Sequence, residues 1–441
     1  MKSAAIFTLG CKVNQYESES VSTQLEQAGY KIVDWRQEAD LYVVHTCAVT
    51  AQAAAKSRQQ IHHAYRTNPQ AQIVVMGCYA QLDAKTISEM PGVRFIVGTT
   101  ERQAFLEKLT GDQLVSEEAQ AQNFVRNFQQ GETFEEMKGL NQADYSRPMI
   151  KIQEGCNNYC SYCIIPYLRG PERSRPLEQI VSEAMSLVQQ GYRELVLTGI
   201  HLSAWGKDFQ QPQHITELFE ALINIKGLER LRISSVEPTD IDAAWINFMV
   251  THEKFCRHLH IPLQSGCDTV LQRMNRKYDT AMFRYLIQTL REKMPRIAIT
   301  TDVIVGFPGE SEEEAEATYQ FCHEMEFSRM HVFRFSARKG TAAAKLANPV
   351  EKEVQEKRSQ ALRALGAHMA KSYANSFIGC ELQVLLEENS VSEGVAEGYS
   401  QEYIRVNVPF HEPIGKGGIL VRVIAEKATP QGVWGKPNRE V

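Results

Sequence analysis

No apolar run in this 441-residue chain approaches the roughly 18 residues that a membrane span requires. The opening Met1-Lys2-Ser3-Ala4-Ala5-Ile6-Phe7-Thr8 has no secretory cleavage pattern and leads into an expected strand, so the cytoplasm is the expected location. Low-complexity tracts and close internal repeats are absent, which excludes solenoid and linker-dominated architectures. A strong charge of either sign is also missing. The formal net charge of −5 gives no electrostatic footprint for a nucleic-acid partner, although a local basic patch fits inside such a total. Against these absences stand ten cysteines. In a reducing compartment their spacing is read first as metal binding or catalysis rather than as disulfides.

The hydrophobic fraction of 43% and charged fraction of 23% are ordinary for a globular chain, and the length suggests about three domains. In the first hundred residues, short apolar strands at 4–9, 41–46, 73–76 and 95–97, with a possible extra one at 30–34, alternate with helical stretches at 15–28 and 51–66. Such alternation predicts a parallel, doubly wound sheet. From about 111 to 144 periodicity is lost, as in a linker or wrapping segment. A second series has strands at 149–153, 194–198, 230–234, 258–262, 297–305 and 330–335, and helices at 177–190, 215–225, 280–293 and 312–325. Six strand–helix repeats suit a partial (β/α)6 barrel of TIM type. A helix at 351–374 closes it. Beyond lie strands at 381–386, 402–408 and 419–425, separated by Gly394, Gly398 and the Gly415-Lys416-Gly417-Gly418 turn, which predict a small all-β module.

The segment Glu154-Gly155-Cys156-Asn157-Asn158-Tyr159-Cys160-Ser161-Tyr162-Cys163 has Cys-x3-Cys-x2-Cys spacing. Three thiolates on one loop can hold three irons of a [4Fe–4S] cube and leave the fourth iron open for chemistry. A structural zinc site would want a fourth ligand, and none is evident. The loop follows the first strand of the second series, at the barrel end where βα loops carry catalysis. Cys11, Cys47 and Cys78 are far apart in sequence, but each follows an expected strand of the first series. In a parallel sheet all three emerge at the carboxyl edge, where such folds bind ligands. Gly10 and Gly77 would permit close backbone approach to a bulky group. The residues themselves leave open a second cluster or three buried, inert cysteines.

The Cys156–Cys163 motif, with aromatic Tyr162 before its last cysteine, resembles the signature of the radical S-adenosylmethionine (SAM) enzymes. That resemblance implies that Cys156, Cys160 and Cys163 hold a SAM-cleaving [4Fe–4S] cluster and that a 5′-deoxyadenosyl radical is made there. Thr8-Leu9-Gly10-Cys11-Lys12-Val13-Asn14-Gln15, Thr46-Cys47-Ala48-Val49-Thr50 and Met76-Gly77-Cys78-Tyr79-Ala80-Gln81 resemble the amino-terminal motifs of the radical SAM methylthiotransferase family. This implies a second, auxiliary [4Fe–4S] cluster on Cys11, Cys47 and Cys78 that delivers sulfur. His45 departs from the family pattern, which usually has asparagine there and so puts in question a hydrogen bond near the second ligand.

Further segments match at strand ends: Leu197-Thr198-Gly199-Ile200-His201, Ser234-Ser235-Val236-Glu237-Pro238 and the run from Thr301 to Glu310. The resemblance implies SAM contacts from Tyr162, Thr198, Gly199, Glu237 and Gly306; without it each is a strand-ending turn. Arg169, Arg173, Arg175 and Arg276 are candidates to hold substrate phosphates, against the alternative of a solvated charge run. The last segment resembles a TRAM domain, an RNA-holding barrel. Residues 371–441 carry seven Lys plus Arg against nine Asp plus Glu, so Lys416 and the aromatics Tyr399, Tyr403, Phe410 and Trp434 would have to contribute. Cys256, Cys267, Cys322 and Cys380 lack metal spacing and read as ordinary.

The expected domains are an amino-terminal cluster domain at 1–115, a linker at 116–144, a radical SAM core at 145–373 and a TRAM domain at 374–441. The family resemblance implies radical methylthiolation of a tRNA nucleoside beside the anticodon, within the anticodon stem-loop. Gly10-Cys11-Lys12-Val13-Asn14-Gln15 resembles the branch acting at C2 of N6-threonylcarbamoyladenosine at position 37. The isopentenyladenosine branch and the branch modifying a ribosomal-protein aspartate are the alternatives. The implied partners are a sulfur donor and a low-potential electron donor such as flavodoxin or ferredoxin. A non-catalytic iron–sulfur protein that binds RNA or passes electrons is the reading from another class.

Overall fold

The computed structural model describes residues 1–111, 120–129, 131–137, 145–388, 394–429 and 431–438. They form two compact units. One comprises Met1–Gln142, Gln153–Arg175 and Ser336–Ala344, the other Ala143–Ile152, Pro176–Phe335 and Lys345–Val441.

The first unit is built on β1 (Ser3–Thr8), β2 (Lys31–Ile32), β3 (Leu41–Thr46), β4 (Gln72–Gly77), β5 (Val93–Val97) and β6 (Gln122–Asn123). They lie in the order β2-β1-β3-β4-β5-β6, and every pairing is parallel. Leu-Tyr-Val-Val-His-Thr of β3 is buried at every position, as a parallel strand covered on both faces must be. The helices Lys12–Gln27, Ala51–Thr67 and Arg102–Thr110 supply crossovers. Thr50 starts the second of these by accepting the Ala53 amide N–H at 3.0 Å. The chain reverses its winding between β1 and β3, which makes their carboxyl ends the switch point of the sheet. Part of the stretch expected as a linker joins this sheet instead: β6 pairs with β5, and the Phe124 ring packs 5.2 Å from that of Phe105. Residues 112–119, 130 and 138–144 of that stretch lie outside the described residues.

Within the second unit, β7 (Met149–Glu154, of which the last two residues belong to the first unit), β9 (Glu194–Gly199), β10 (Arg230–Ile233), β11 (His258–His260), β12 (Ala298–Val305) and β13 (Arg329–Arg334) make the expected open barrel of six strands. β8 (Arg173–Ser174) is a short antiparallel addition to the end of β7 in the first unit. Single parallel bridges at Leu231–Phe255 and Ser235–His260 carry the curve from β10 towards β11. One large core of Ile, Leu, Val and Phe joins the strands to the surrounding helices. The helix Lys352–Asn375 lies along β13 and leads into a closed five-stranded TRAM-like barrel. Its strands are β14 (Glu381–Leu386), β15 (Val395–Ser400), β16 (Arg405–Pro409), β17 (Ile419–Thr429) and β18 (Gly432–Pro437), in the order β14-β15-β16-β18-β17. β15 and β18 are strands that the glycine pattern conceals. Gly398 is no separator: a Cβ there would stand 2.1 Å from the Leu385 carbonyl oxygen, so glycine is what allows this tight barrel to close.

A buried ionic joint holds the two barrels of this unit together. Glu194 on β9 accepts from Arg232 Nε at 2.7 Å and Arg230 Nη1 at 3.3 Å. Arg232 also donates to the carbonyls of Ser400 and Gln401 at 3.0 and 3.1 Å, and Arg230 to that of Tyr399 at 3.0 Å. Arg147 lies 4.4 Å above the Tyr399 ring, which stacks on Tyr403 at 5.0 Å. Tyr399 and Tyr403, both half-buried, thus pack into this joint. Burial alone would raise the Glu194 carboxyl, but Arg232, Arg147 and Arg230 hold it down at about 2. Glu194→Gln is expected to cost about 3 kcal/mol at neutral pH. The folded-state pKa is depressed, so that contribution is complete above pH 4.5 and fades as pH falls toward 2. Thermal melts of wild type and variant followed by circular dichroism should therefore differ at pH 7 and converge through that window.

Candidate functional site

The carboxyl ends of β1, β3 and β4 deliver Cys11, Cys47 and Cys78 from three neighbouring strands. Cys11 caps the 16-residue helix Lys12–Gln27, and Cys78 opens the short helix Cys78–Leu82. Gly10 and Gly77 precede them with φ of +112° and +96°. A Cβ at Gly10 would lie 3.3 Å from Cys47 Sγ, and one at Gly77 would lie 2.7 Å from the His45 ring. Both glycines are therefore required where the backbone crowds the thiols. Burial pushes the Cys47 thiol up to about 11 and raises that of Cys78, against the pull of a nearby guanidinium on Arg169. Thiols in this state give up their protons to a bound metal.

Asn14 ties the ends of β1 and β3 together. Its Nδ2 donates to the carbonyls of Leu9 and Thr46 at 2.7 and 3.1 Å, and its Oδ1 lies 3.8 Å from Cys11 Sγ. The same Oδ1 accepts from Arg169 Nη2 at 2.6 Å. Arg169 is fully buried and spends all five N–H donors. Nε donates to Cys78 Sγ at 3.4 Å, Nη1 to Glu17 and Glu154 at 2.7 and 2.6 Å, and Nη2 to Asn14 and again to Glu17 at 3.2 Å. Arg102 braces the same two carboxylates, reaching Glu154 Oε2 at 2.9 Å and Glu17 Oε1, and its Nε adds Glu135 at 2.9 Å. Burial alone would lower the basicity of Arg169, yet the surrounding Glu17, Cys78 and Glu154 raise it well above the ordinary value, so its charge is permanent. His45 belongs to this cluster: its Nε2 lies 3.2 Å from Glu17 and its Nδ1 2.9 Å from Ser18 Oγ. Burial lowers its pKa and keeps the ring neutral. The backbone beside Cys47 is served instead by Ser57, whose Oγ is 3.3 Å from the Cys47 amide nitrogen.

Cys156, Cys160 and Cys163 sit on a half-exposed loop of the same unit, between β7 and the helix Ile165–Arg169. The Cys156 amide donates to the Gly170 carbonyl at 3.1 Å, and that of Cys163 to Cys160 at 2.9 Å. The Ser161 carbonyl is held by the Ala343 amide at 2.7 Å. Gly155 is unavoidable, since a Cβ there would stand 1.8 Å from the Pro171 carbonyl oxygen. Tyr159 takes the left-handed backbone form, φ +47°, and its ring meets Tyr167 edge-on at 5.9 Å. Both thiol triads suit iron–sulfur clusters: each offers three sulfurs, with glycine where any side chain would intrude.

The pattern described as Uncharacterized protein family UPF0004 matches residues 3–98, and that of the Radical SAM superfamily residues 150–322. A threonylcarbamoyladenosine tRNA methylthiotransferase, MtaB, of Bacillus subtilis is 42% identical over 92% of this chain and 90% of its own length. The chain belongs to the radical SAM methylthiotransferase family. An Aquifex aeolicus protein of the same name is 35% identical over 95% of this chain and 99% of its own. A tRNA-2-methylthio-N(6)-dimethylallyladenosine synthase of Thermodesulfovibrio yellowstonii is 34% identical over 90% and 91%. Among solved structures, the radical SAM methyltransferase TsrM of Kitasatospora setae, with cobalamin and a [4Fe-4S] cluster bound, shares the fold at a TM-score of 0.55 and 15% identity, covering 90% of this chain and 80% of that one.

In this methylthiotransferase the remaining expected residues fall into two groups. Tyr162 lies in the first unit, within the Cys156–Cys163 loop. In the second unit, Thr198 and Gly199 end β9, Glu237 follows β10, and Gly306 follows β12, all at the carboxyl edge of the barrel. Gly306 donates its amide to Glu310 Oε2 at 2.6 Å. The arginines expected to meet phosphates have buried side chains with intramolecular partners. Arg169 lies in the ionic cluster. Arg173 is buried over the Phe128 ring at 5.1 Å and donates to the Arg169 carbonyl at 3.0 Å. Arg175 pairs with Glu136 at 2.8 Å, and Arg276, 3% exposed, pairs with Glu237. Lys416 stands 5.4 Å from the Tyr192 ring centre. Burial pushes the thiols of Cys256 and Cys322 up to about 12, the state of inert core cysteines.

Asn14, Glu17, Arg102 and Glu154 were not singled out from the sequence. Asn14 and Glu17 do stand three and six residues after Cys11 on a face of their helix that is buried despite being polar. Asn14→Ala leaves the Leu9 and Thr46 carbonyls without that donor, at roughly 1–3 kcal/mol for each buried group. The variant should melt earlier and, after reconstitution and a chelator challenge, retain about half the iron of wild type. Full retention would show that Asn14 does not hold the Cys11, Cys47 and Cys78 site together.

Proposed function

We propose that this chain is a tRNA-modifying enzyme that attaches a methylthio group to C2 of N6-threonylcarbamoyladenosine at position 37, beside the anticodon. The observation that carries this reading is the match along 92% of the chain to a relative of that named activity. The two thiol triads within one compact unit support it. Gly10-Cys11-Lys12-Val13-Asn14-Gln15 supports this substrate over isopentenyladenosine or a ribosomal-protein aspartate.

Cys156, Cys160 and Cys163 would hold the SAM-cleaving cluster, and Cys11, Cys47 and Cys78 the auxiliary one. Bound there, the two clusters and SAM supply the electron, the radical and the sulfur. The chain's own groups hold and shield the reacting parts. Gly10 and Gly77 allow the close packing around Cys47 and His45, while Gly155 and the Ser161–Ala343 bond fix the loop that presents Cys156. Thr198, Gly199, Glu237 and Gly306 would contact SAM from the carboxyl edge of the barrel. The TRAM-like barrel would take hold of the anticodon stem-loop. A sulfur donor and a low-potential electron donor of the flavodoxin or ferredoxin class complete the reaction. Among the described residues no helix is long and apolar enough to cross a membrane.

Nucleoside profiling of tRNA from a deletion strain tests the substrate. The 2-methylthio-threonylcarbamoyl nucleoside should vanish and return with the wild-type gene but not with Cys156→Ala. Its persistence would overturn the assignment, and loss of the 2-methylthio-isopentenyl nucleoside in its place would move the chain to the other branch. Anaerobic, reconstituted protein given SAM and a strong reductant should release 5′-deoxyadenosine; silence would favour a non-catalytic iron–sulfur protein.

A further inference from the structure

Arg169 contacts one cysteine-bearing region of the first unit and is joined to the other by a short helix. Its guanidinium is 3.4 Å from Cys78 Sγ through Nε and 2.6 Å from Asn14 Oδ1 through Nη2. The residue beside it, Gly170, accepts the amide of Cys156 at 3.1 Å. The helix that carries it, Ile165–Arg169, begins two residues after Cys163. A fully buried cation aimed at one thiol of a triad, with every other donor already committed to Glu17, Glu154 and Asn14, has no freedom to turn elsewhere. Its neighbour Arg102 braces the same carboxylates and, among the described residues, makes no hydrogen bond to a cysteine.

We propose that Arg169 is a positioning residue that raises the reduction potential of the auxiliary cluster through its hydrogen bond to Cys78. The inference rests on the assignment of Cys11, Cys47 and Cys78 as cluster ligands. Hydrogen bonds and positive charge at cluster sulfurs favour the reduced, more negative form and raise the potential. Arg169 supplies both at one buried sulfur, that of Cys78. The charge does not titrate in any accessible range, so the effect is built in rather than switched. Lysine keeps a cation but lacks the planar fork that meets Cys78, Asn14 and two carboxylates together.

The test isolates the auxiliary cluster in full-length protein carrying Cys156→Ala, Cys160→Ala and Cys163→Ala, reconstituted anaerobically. Redox titration is followed by electron paramagnetic resonance, with iron and sulfide quantified in every sample. In that background Arg169→Gln should lower the ratio of reduced to oxidised cluster about tenfold at fixed potential, about 59 mV for a one-electron couple. Arg169→Lys should shift it in the same direction by less. Arg102→Lys disturbs the same ionic cluster without touching sulfur and should leave the potential in place. A loaded Arg169→Lys protein with the unvaried potential would overturn the proposal, as would an equal shift in Arg102→Lys. Should Arg169→Gln fail to fold, the two lysine variants decide between these outcomes. Absence of any cluster in the parent background would instead reject the ligand assignment itself.

Discussion

The first unit depends on a pair of buried carboxylates shared by a pair of buried guanidinium groups. Glu17 comes from the helix after β1, Glu154 from the end of β7, Arg102 from the helix after β5, and Arg169 from the turn after the Cys156–Cys163 loop. Each charge is tolerable only because the other three are present, since a single buried ion carries a desolvation cost of several kcal/mol. The arrangement therefore specifies one geometry more than it adds net stability. Four elements of the chain must come together correctly or none of these charges can be dry. Cys11, Cys78 and Cys156 all lie within a few residues or one hydrogen bond of it, so the two thiol triads inherit its rigidity.

The architecture was largely legible because burial imposes patterns. Apolar runs such as Leu-Tyr-Val-Val-His-Thr and Ile-Val-Val-Met stand out against the helical stretches between them, and strand-end placement of Cys11, Cys47 and Cys78 follows from parallel topology. Cys-x3-Cys-x2-Cys is informative because its geometry is local. What escaped were features that depend on remote partners. Glu17 and Arg169 are 152 residues apart, and no periodicity announces that they meet. β15 and β18 were hidden for a different reason: Gly398 and Gly435 look like punctuation, but a barrel of only five strands needs them inside its ladder.

The arginines illustrate how charge misleads when read along a chain. Arg169, Arg173 and Arg175 form a basic run that suggests a surface for phosphate, yet each is almost wholly buried. Their counter-charges lie 15 residues away for Glu154, 39 for Glu136 and 152 for Glu17. The same logic operates in the second unit, where Arg147, Arg230 and Arg232 converge on Glu194 and on carbonyls of the TRAM-like barrel. In both units guanidinium groups serve as internal joints, a role for which five donors in a fixed plane suit them better than a lysine ammonium.

The helix Ile165–Arg169 has a consequence of a metric kind. It is hardly more than one turn long and links Cys163 to the guanidinium at Cys78 with no slack. Each residue of an α-helix advances the side-chain direction by about 100°. One residue added or removed between Cys163 and Arg169 would swing the guanidinium away from Glu17, Glu154 and Cys78 together. The interval acts as a ruler: its length, more than the identity of the residues that fill it, is what this part of the chain has least freedom to change.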